Sequence, residues 1–135
     1  MQITQILFGM SLSRTVASGV QVSGIISDIP TQSIRYQRQL PAGSSLEDYA
    51  HDAFDLSNNP RREEEWAEIA KHARSLSSGD VVIVGRRTFL CLPMGWKELG
   101  TGGKKLVARL EAAGTWSGRE AITREFWPVA TAKAV

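Results

Sequence analysis

The chain has 135 residues, 42% of them hydrophobic, and carries 16 Lys and Arg against 14 Asp and Glu, a net charge of +2. That length suits one ordinary domain, here spanning 1–135, with enough sequence for a hydrophobic core. Cys91 is the single cysteine, so an intramolecular disulfide is excluded and a reducing compartment fits.

The N-terminus has no basic region and no long apolar run, so neither a signal peptide nor a membrane span is expected, and the cytoplasm is the default location. Charge is unevenly spread. Residues 44–80 hold four Lys and Arg against nine acids, whereas residues 86–135 hold nine against four. Such asymmetry predicts a two-signed surface, or halves whose charges cancel on packing.

Gln2 to Phe8, rich in Ile and Leu, reads as a first strand, and residues 9–19 as loop. Val20, Val22, Ile25 and Ile26 suggest a second strand broken by Gly24, followed by a turn at Asp28-Ile29-Pro30. Ser33 to Leu40 alternates, with Ile34, Tyr36, Arg38 and Leu40 facing one way, the pattern of a half-buried strand.

A helix is expected from Ser44, which forms a capping box with Glu47. Leu46, Tyr49, Ala50, Ala53 and Phe54 make its apolar face. Asn59 caps a second helix with Pro60 at its first position. Acids Glu63 to Glu65 suit its start and the cations Lys71, His72 and Arg74 its end. Trp66, Ile69, Ala70 and Ala73 form its buried stripe.

The clearest stretch is Ser75 to Leu99. After a turn at Gly79-Asp80, the β-branched run Val81 to Val84 reads as a buried strand. Gly85-Arg86 fits a type II′ hairpin turn, with Gly at the position that needs positive φ. Thr88 to Leu92 returns, and Pro93, which lacks a donor, ends the pairing. Trp96 and Leu99 then fold back onto the pair. Gly100 to Gly103 is a flexible break before a helix over Lys104 to Ala113, stopped by Gly114. Ser117 and Glu120 make a second capping box, with Trp116 and Ala121 as a weak hydrophobic staple. Ile122 and Phe126 face inward, Trp127-Pro128 ends this last helix, and a loose tail is expected from 129.

Candidate chemistry is sparse. His51 and Asp55, four residues apart with Asp52 between them, share a helical face, but nothing else supplies a third ligand at a telling spacing, so a solvated acidic face is expected rather than a metal centre. GTGGKK at Gly100 to Lys105 fails the phosphate-loop pattern, because Lys105 stands where Ser or Thr belongs. Cys91 lies mid-strand and reads as a small core hydrophobe. No serine occupies a nucleophile elbow. No catalytic residue, metal or cofactor is expected. Arg86 and Arg87 at the hairpin tip are the first candidates for partner binding, with the acidic helix at Asp52 and Asp55 behind them. Lys104, Lys105, Arg119 and Arg124 are the candidates for meeting phosphates.

The order Leu46-Glu47-Asp48, Ala53-Phe54-Asp55-Leu56, Asn58-Asn59, Trp66, then Arg74-Ser75-Leu76-Ser77-Ser78-Gly79-Asp80-Val81-Val82 resembles YodL-like domains. Those are small modules of phages, plasmids and other mobile elements. The likeness covers residues 44–99. The charged run Arg61 to Glu65 departs from the family's usual link, and the C-terminal part has no counterpart in it. The resemblance implies no catalytic residues.

The expected architecture is α+β: a small antiparallel sheet that includes the central β-hairpin, packed by about four helices on one side. The expected function is a non-enzymatic accessory protein of a phage or mobile element. It would bind a host protein or nucleoprotein complex, without a membrane, counter-defence such as inhibition of a CRISPR complex being one concrete form. Two alternatives stand beside it: a nucleic-acid-binding module using the basic C-terminal third, and an enzyme with an unrecognised pocket. The residues leave the oligomeric state open.

Overall fold

A computed structural model describes residues 1–9, 30–71 and 73–127. The expected second strand at Val20 to Ile26, His72 and the expected tail from 129 lie outside these residues. Five antiparallel strands, β1 (Gln2–Leu7), β2 (Gln32–Gln37), β3 (Val81–Val84), β4 (Arg87–Cys91) and β5 (Trp96–Leu99), form one sheet in the order β2-β1-β3-β4-β5. The helices among the described residues are α1 (Leu46–Asn58), α2 (Glu63–Ile69), α3 (Gly103–Ala113) and α4 (Trp116–Arg124). A 3-10 turn at Pro60–Arg62 leads into α2. The architecture is α+β, as expected.

The helices cover both faces of the sheet, not one. β3 explains why. Its four residues include no polar side chain, so both of its faces must be sheltered from water. Val82 and Val84 pack with Ile3, Leu7 and Phe89 beneath α1 and α2. Val81 and Ile83 pack with Ile6, Leu90 and Leu99 beneath α3 and α4, through Leu106, Leu110 and Ile122. Fully burying one such side chain stabilises the fold by about 1.5–3 kcal/mol.

Among the described residues β2 is an edge strand, and with Arg38 just past it keeps the alternation read from the sequence: Ile34, Tyr36 and Arg38 are half-buried, and Ser33, Arg35 and Gln37 exposed. Opposite it, Gln5 is a fully buried polar residue in β1. Its Nε2 donates to Tyr36 Oη at 2.8 Å. Burial pushes the Tyr36 phenol up to about 12.

The hairpin turns at Gly85, whose φ is +61°. β5 extends the sheet by pairing Thr88 with Leu99 and Cys91 with Trp96. Gly103 then begins α3 directly against Thr88. A Cβ at Gly103 would lie 2.5 Å from Thr88 Oγ1, so this close approach requires glycine.

The first capping box shifts by one residue, and the second is replaced by a simple cap. α1 is capped by Ser45, whose Oγ accepts from Asp48 N at 3.1 Å while Asp48 Oδ2 accepts from Ser45 N at 2.8 Å. Ser44 instead donates to Pro41 O at 2.7 Å, within the turn that stops the preceding segment. α4 is capped by Thr115, which accepts from Gly118 N at 3.1 Å. Ser117 therefore lies inside the helix, and Trp116 becomes its first residue and is exposed. α2 ends at Ile69, so Lys71 and Arg74 fall beyond it. Trp66 is buried as expected, whereas Phe54 is half-buried at the margin of the core.

Candidate functional site

The sheet brings cations to one end. Antiparallel pairing sets Gly85-Arg86 beside the start of β1, where Gly85 N donates to Gln2 O at 2.9 Å. Leu99 lies opposite Thr88, so the chain leaves β5 at that same end, and Gly103 seats α3 there. Arg86, Arg87, Lys104 and Lys105 are therefore gathered at one end of the fold, all exposed. Arg87 pairs with Glu98 at 3.0 Å, an exposed bridge. Among the described residues Arg86, Lys104 and Lys105 take part in no ion pair. The α3 N-terminus has Gly102 at its cap and no side-chain hydrogen bond there, which leaves the positive end of its dipole uncovered.

The phosphate-contacting set read from the sequence is thereby divided. Lys104 and Lys105 lie at the hairpin-tip end. Arg119 and Arg124 lie on α4, which packs at the other end: a Cβ on Gly79 would lie 3.3 Å from Thr123 Oγ1. Arg124 is exposed, reaches Glu120 at 3.2 Å and lies 4.8 Å over the Trp127 ring. Arg119 is buried. No continuous basic face joins these four residues.

Asp52 and Asp55 are engaged inside the molecule. Asp52 accepts from Arg38 Nε at 2.7 Å and Arg62 Nη1 at 2.9 Å. The same Arg62 nitrogen reaches Asp55 at 3.1 Å, while Arg62 Nη2 holds Glu65 at 2.9 Å. Burial opposes the Asp52 charge, but the hydrogen bonds from Arg38 and Arg62 prevail and hold its carboxyl below the usual range. Arg62 also lowers the Glu65 carboxyl. This network ties β2, α1 and α2 together, so its acids serve the fold before any partner. His51 is exposed, and among the described residues no group of three or more His, Cys, Asp or Glu could hold a metal. Burial pushes the Cys91 thiol up to about 12, leaving it protonated and unreactive near neutrality.

A cleft of about 420 Å³ opens at the end opposite the hairpin tip, between α4 and the Ser75 to Asp80 loop. Sequence reasoning missed it. Asp80 is not an exposed turn residue but nearly fully buried. Arg74, expected at a helix end, forks onto it with two hydrogen bonds of 2.6 Å. The signal was an acid directly before an all-apolar strand, where an unpaired charge could not stay. Arg119 lines the same cleft, its guanidinium 5.9 Å from the Phe8 ring centroid. Burial lowers its pKa from the ordinary value, partly countered by Glu111 and Asp80.

Among the described residues no helix is long and apolar enough to cross a membrane. Comparison with protein-family models, with curated proteins and with solved structures finds no match to this chain.

Proposed function

We propose that this chain acts by binding, and that it engages an acidic surface of a host protein or nucleoprotein machine through the hairpin-tip end of its sheet. The observation that carries this reading is the gathering of Arg86, Arg87, Lys104 and Lys105 on elements braced by the sheet. Cations on a rigid tip lose less freedom on binding than cations on a loose loop. Arg86 presents a planar fork for carboxylate or phosphate, and Arg87 offers one by giving up its exposed bridge to Glu98. The resemblance of residues 44–99 to mobile-element modules supports an accessory role in a phage or plasmid, counter-defence against a CRISPR complex being one concrete form. Direct nucleic-acid binding is the second reading. It is favoured by Lys104 and Lys105 standing in the first turn of α3, where phosphate meets the helix dipole.

Affinity capture from host lysate tests both readings when run with and without nuclease. Capture that survives nuclease and is lost in the Arg86→Glu, Arg87→Glu variant supports a protein partner. Capture that needs nucleic acid, falls steeply with salt and is lost in Lys104→Glu, Lys105→Glu supports the second reading. Full capture by both variants overturns the tip as the binding surface.

A further inference from the structure

Among the described residues, three buried side-chain polar atoms have no hydrogen-bond partner: Gln5 Oε1, Arg74 Nε and Arg119 Nη2. The two arginine atoms belong to side chains that line the cleft beside α4. Buried donors without partners are rare, because each carries its full desolvation cost.

We propose that this cleft binds a small carboxylate that carries a flat apolar body. The charge count selects the carboxylate. Asp80 already neutralises Arg74 through its two short hydrogen bonds, and also accepts from Phe8 N and Ser77 N. Glu120, at the cleft wall, reaches Arg124. Arg119 remains, 7% exposed, with the Phe8 ring as its neighbour and Nη2 unpartnered. Glu111 acts on Arg119 through space while its own Oε2 accepts from Thr31 Oγ1 at 3.1 Å, and among the described residues no acid is hydrogen-bonded to Arg119, so a monoanion adds less unbalanced charge here than a phosphate dianion. An ionised acceptor on a guanidinium forms the strong, directed kind of hydrogen bond.

The apolar body follows from the walls. Trp116 and Trp127 line the cleft and are 49% and 36% exposed, and Pro93 adds a further apolar surface. Indole rings favour stacked flat groups; one face of Trp127 is already covered by Arg124, which leaves the other for a ligand. The volume of about 420 Å³ lies within the range of small-molecule sites. This site stands at the opposite end of the sheet from the basic tip and is independent of what the tip binds.

The test titrates the full chain with benzoate, with benzamide as its uncharged counterpart and with phenyl phosphate as the dianion. Proton–nitrogen NMR reads the indole and arginine side-chain signals. Benzoate is expected to shift Trp116, Trp127 and Arg119 saturably, benzamide to leave them in place, and phenyl phosphate to bind more weakly. Arg119→Met, of similar length without the charge, is expected to weaken benzoate at least about tenfold. Ser78→Glu, an exposed position in the wall, supplies a tethered carboxylate of its own and is expected to do the same. It decides the matter if Arg119→Met does not fold. Absence of saturable shifts, equal response to benzamide, tighter binding of phenyl phosphate, or undiminished benzoate affinity in Ser78→Glu overturns the proposal.

Discussion

Arg74 and Asp80 grip each other through two parallel hydrogen bonds of 2.6 Å, Nη1 to Oδ2 and Nη2 to Oδ1. The pair also closes the end of the sheet. Phe8 lies one residue past β1, and its N–H donates to Asp80 Oδ1 at 3.1 Å while its carbonyl accepts from Arg74 Nη2 at 2.9 Å. Two side chains thus take the place of a neighbouring strand for one residue, which would otherwise hold unpaired backbone groups in the interior.

Removing one member should therefore cost much more than a surface bridge. Asp80→Asn keeps the volume but leaves the Arg74 guanidinium facing a neutral amide. The expected loss is about 3–5 kcal/mol, the usual effect of breaking a buried pair from one side. Thermal unfolding followed by circular dichroism measures it, with Arg87→Ala, which breaks the exposed bridge to Glu98, as the comparison, expected within about 1 kcal/mol. Equal losses in the two variants would show that burial of the Asp80 pair contributes nothing extra.

Local rules made most of the sheet legible. The alternation of Ile34, Tyr36 and Arg38, the β-branched run of β3 and the glycine at position 85 each carry a pattern that short-range sterics enforce. The first capping box slipped because two overlapping choices satisfied the same rule: Ser44 with Glu47, and Ser45 with Asp48. The turn at Pro41 engages Ser44 and decides between them. The second helical layer was missed because periodicity says which side of α3 is apolar and not which face of the sheet it covers. The cleft was illegible for a related reason. Phe8, Arg74, Asp80 and Arg119 are far apart in the chain and meet only through topology, and no spacing rule links them.

The Asp52 network gives stability a defined acid dependence. Its folded-state pKa lies below the ordinary 3.8, and that of Glu65 below the ordinary 4.5. The folded protein thus holds these protons less tightly than the unfolded chain. The stabilisation is complete above the ordinary values and is lost as pH falls through the folded ones. Melting temperature should change little from this source between neutrality and about pH 5, then fall below about pH 4. Asp52→Asn should be less stable at neutral pH and should show a shallower acid limb. Parallel acid limbs in the two proteins would show that Asp52 titrates alike in both states.

Gly85 and Arg86 are neighbours in one turn, and opposite behaviour is expected of them. Gly85 sits at φ +61°, where a β-branched side chain is strained, so Gly85→Val should cost about 1–3 kcal/mol. The nearest atom to a new Cβ is Met1 Sδ at 3.2 Å, the end of a flexible side chain, so backbone conformation rather than crowding sets the cost. Arg86 is exposed and should accept Glu within about 0.5 kcal/mol. Urea unfolding of the two single variants separates turn geometry from surface charge. A wild-type midpoint for Gly85→Val would remove the turn assignment. A marked loss in Arg86→Glu would make Arg86 a structural residue, and its charge could then no longer be tested as part of the binding tip independently of the fold.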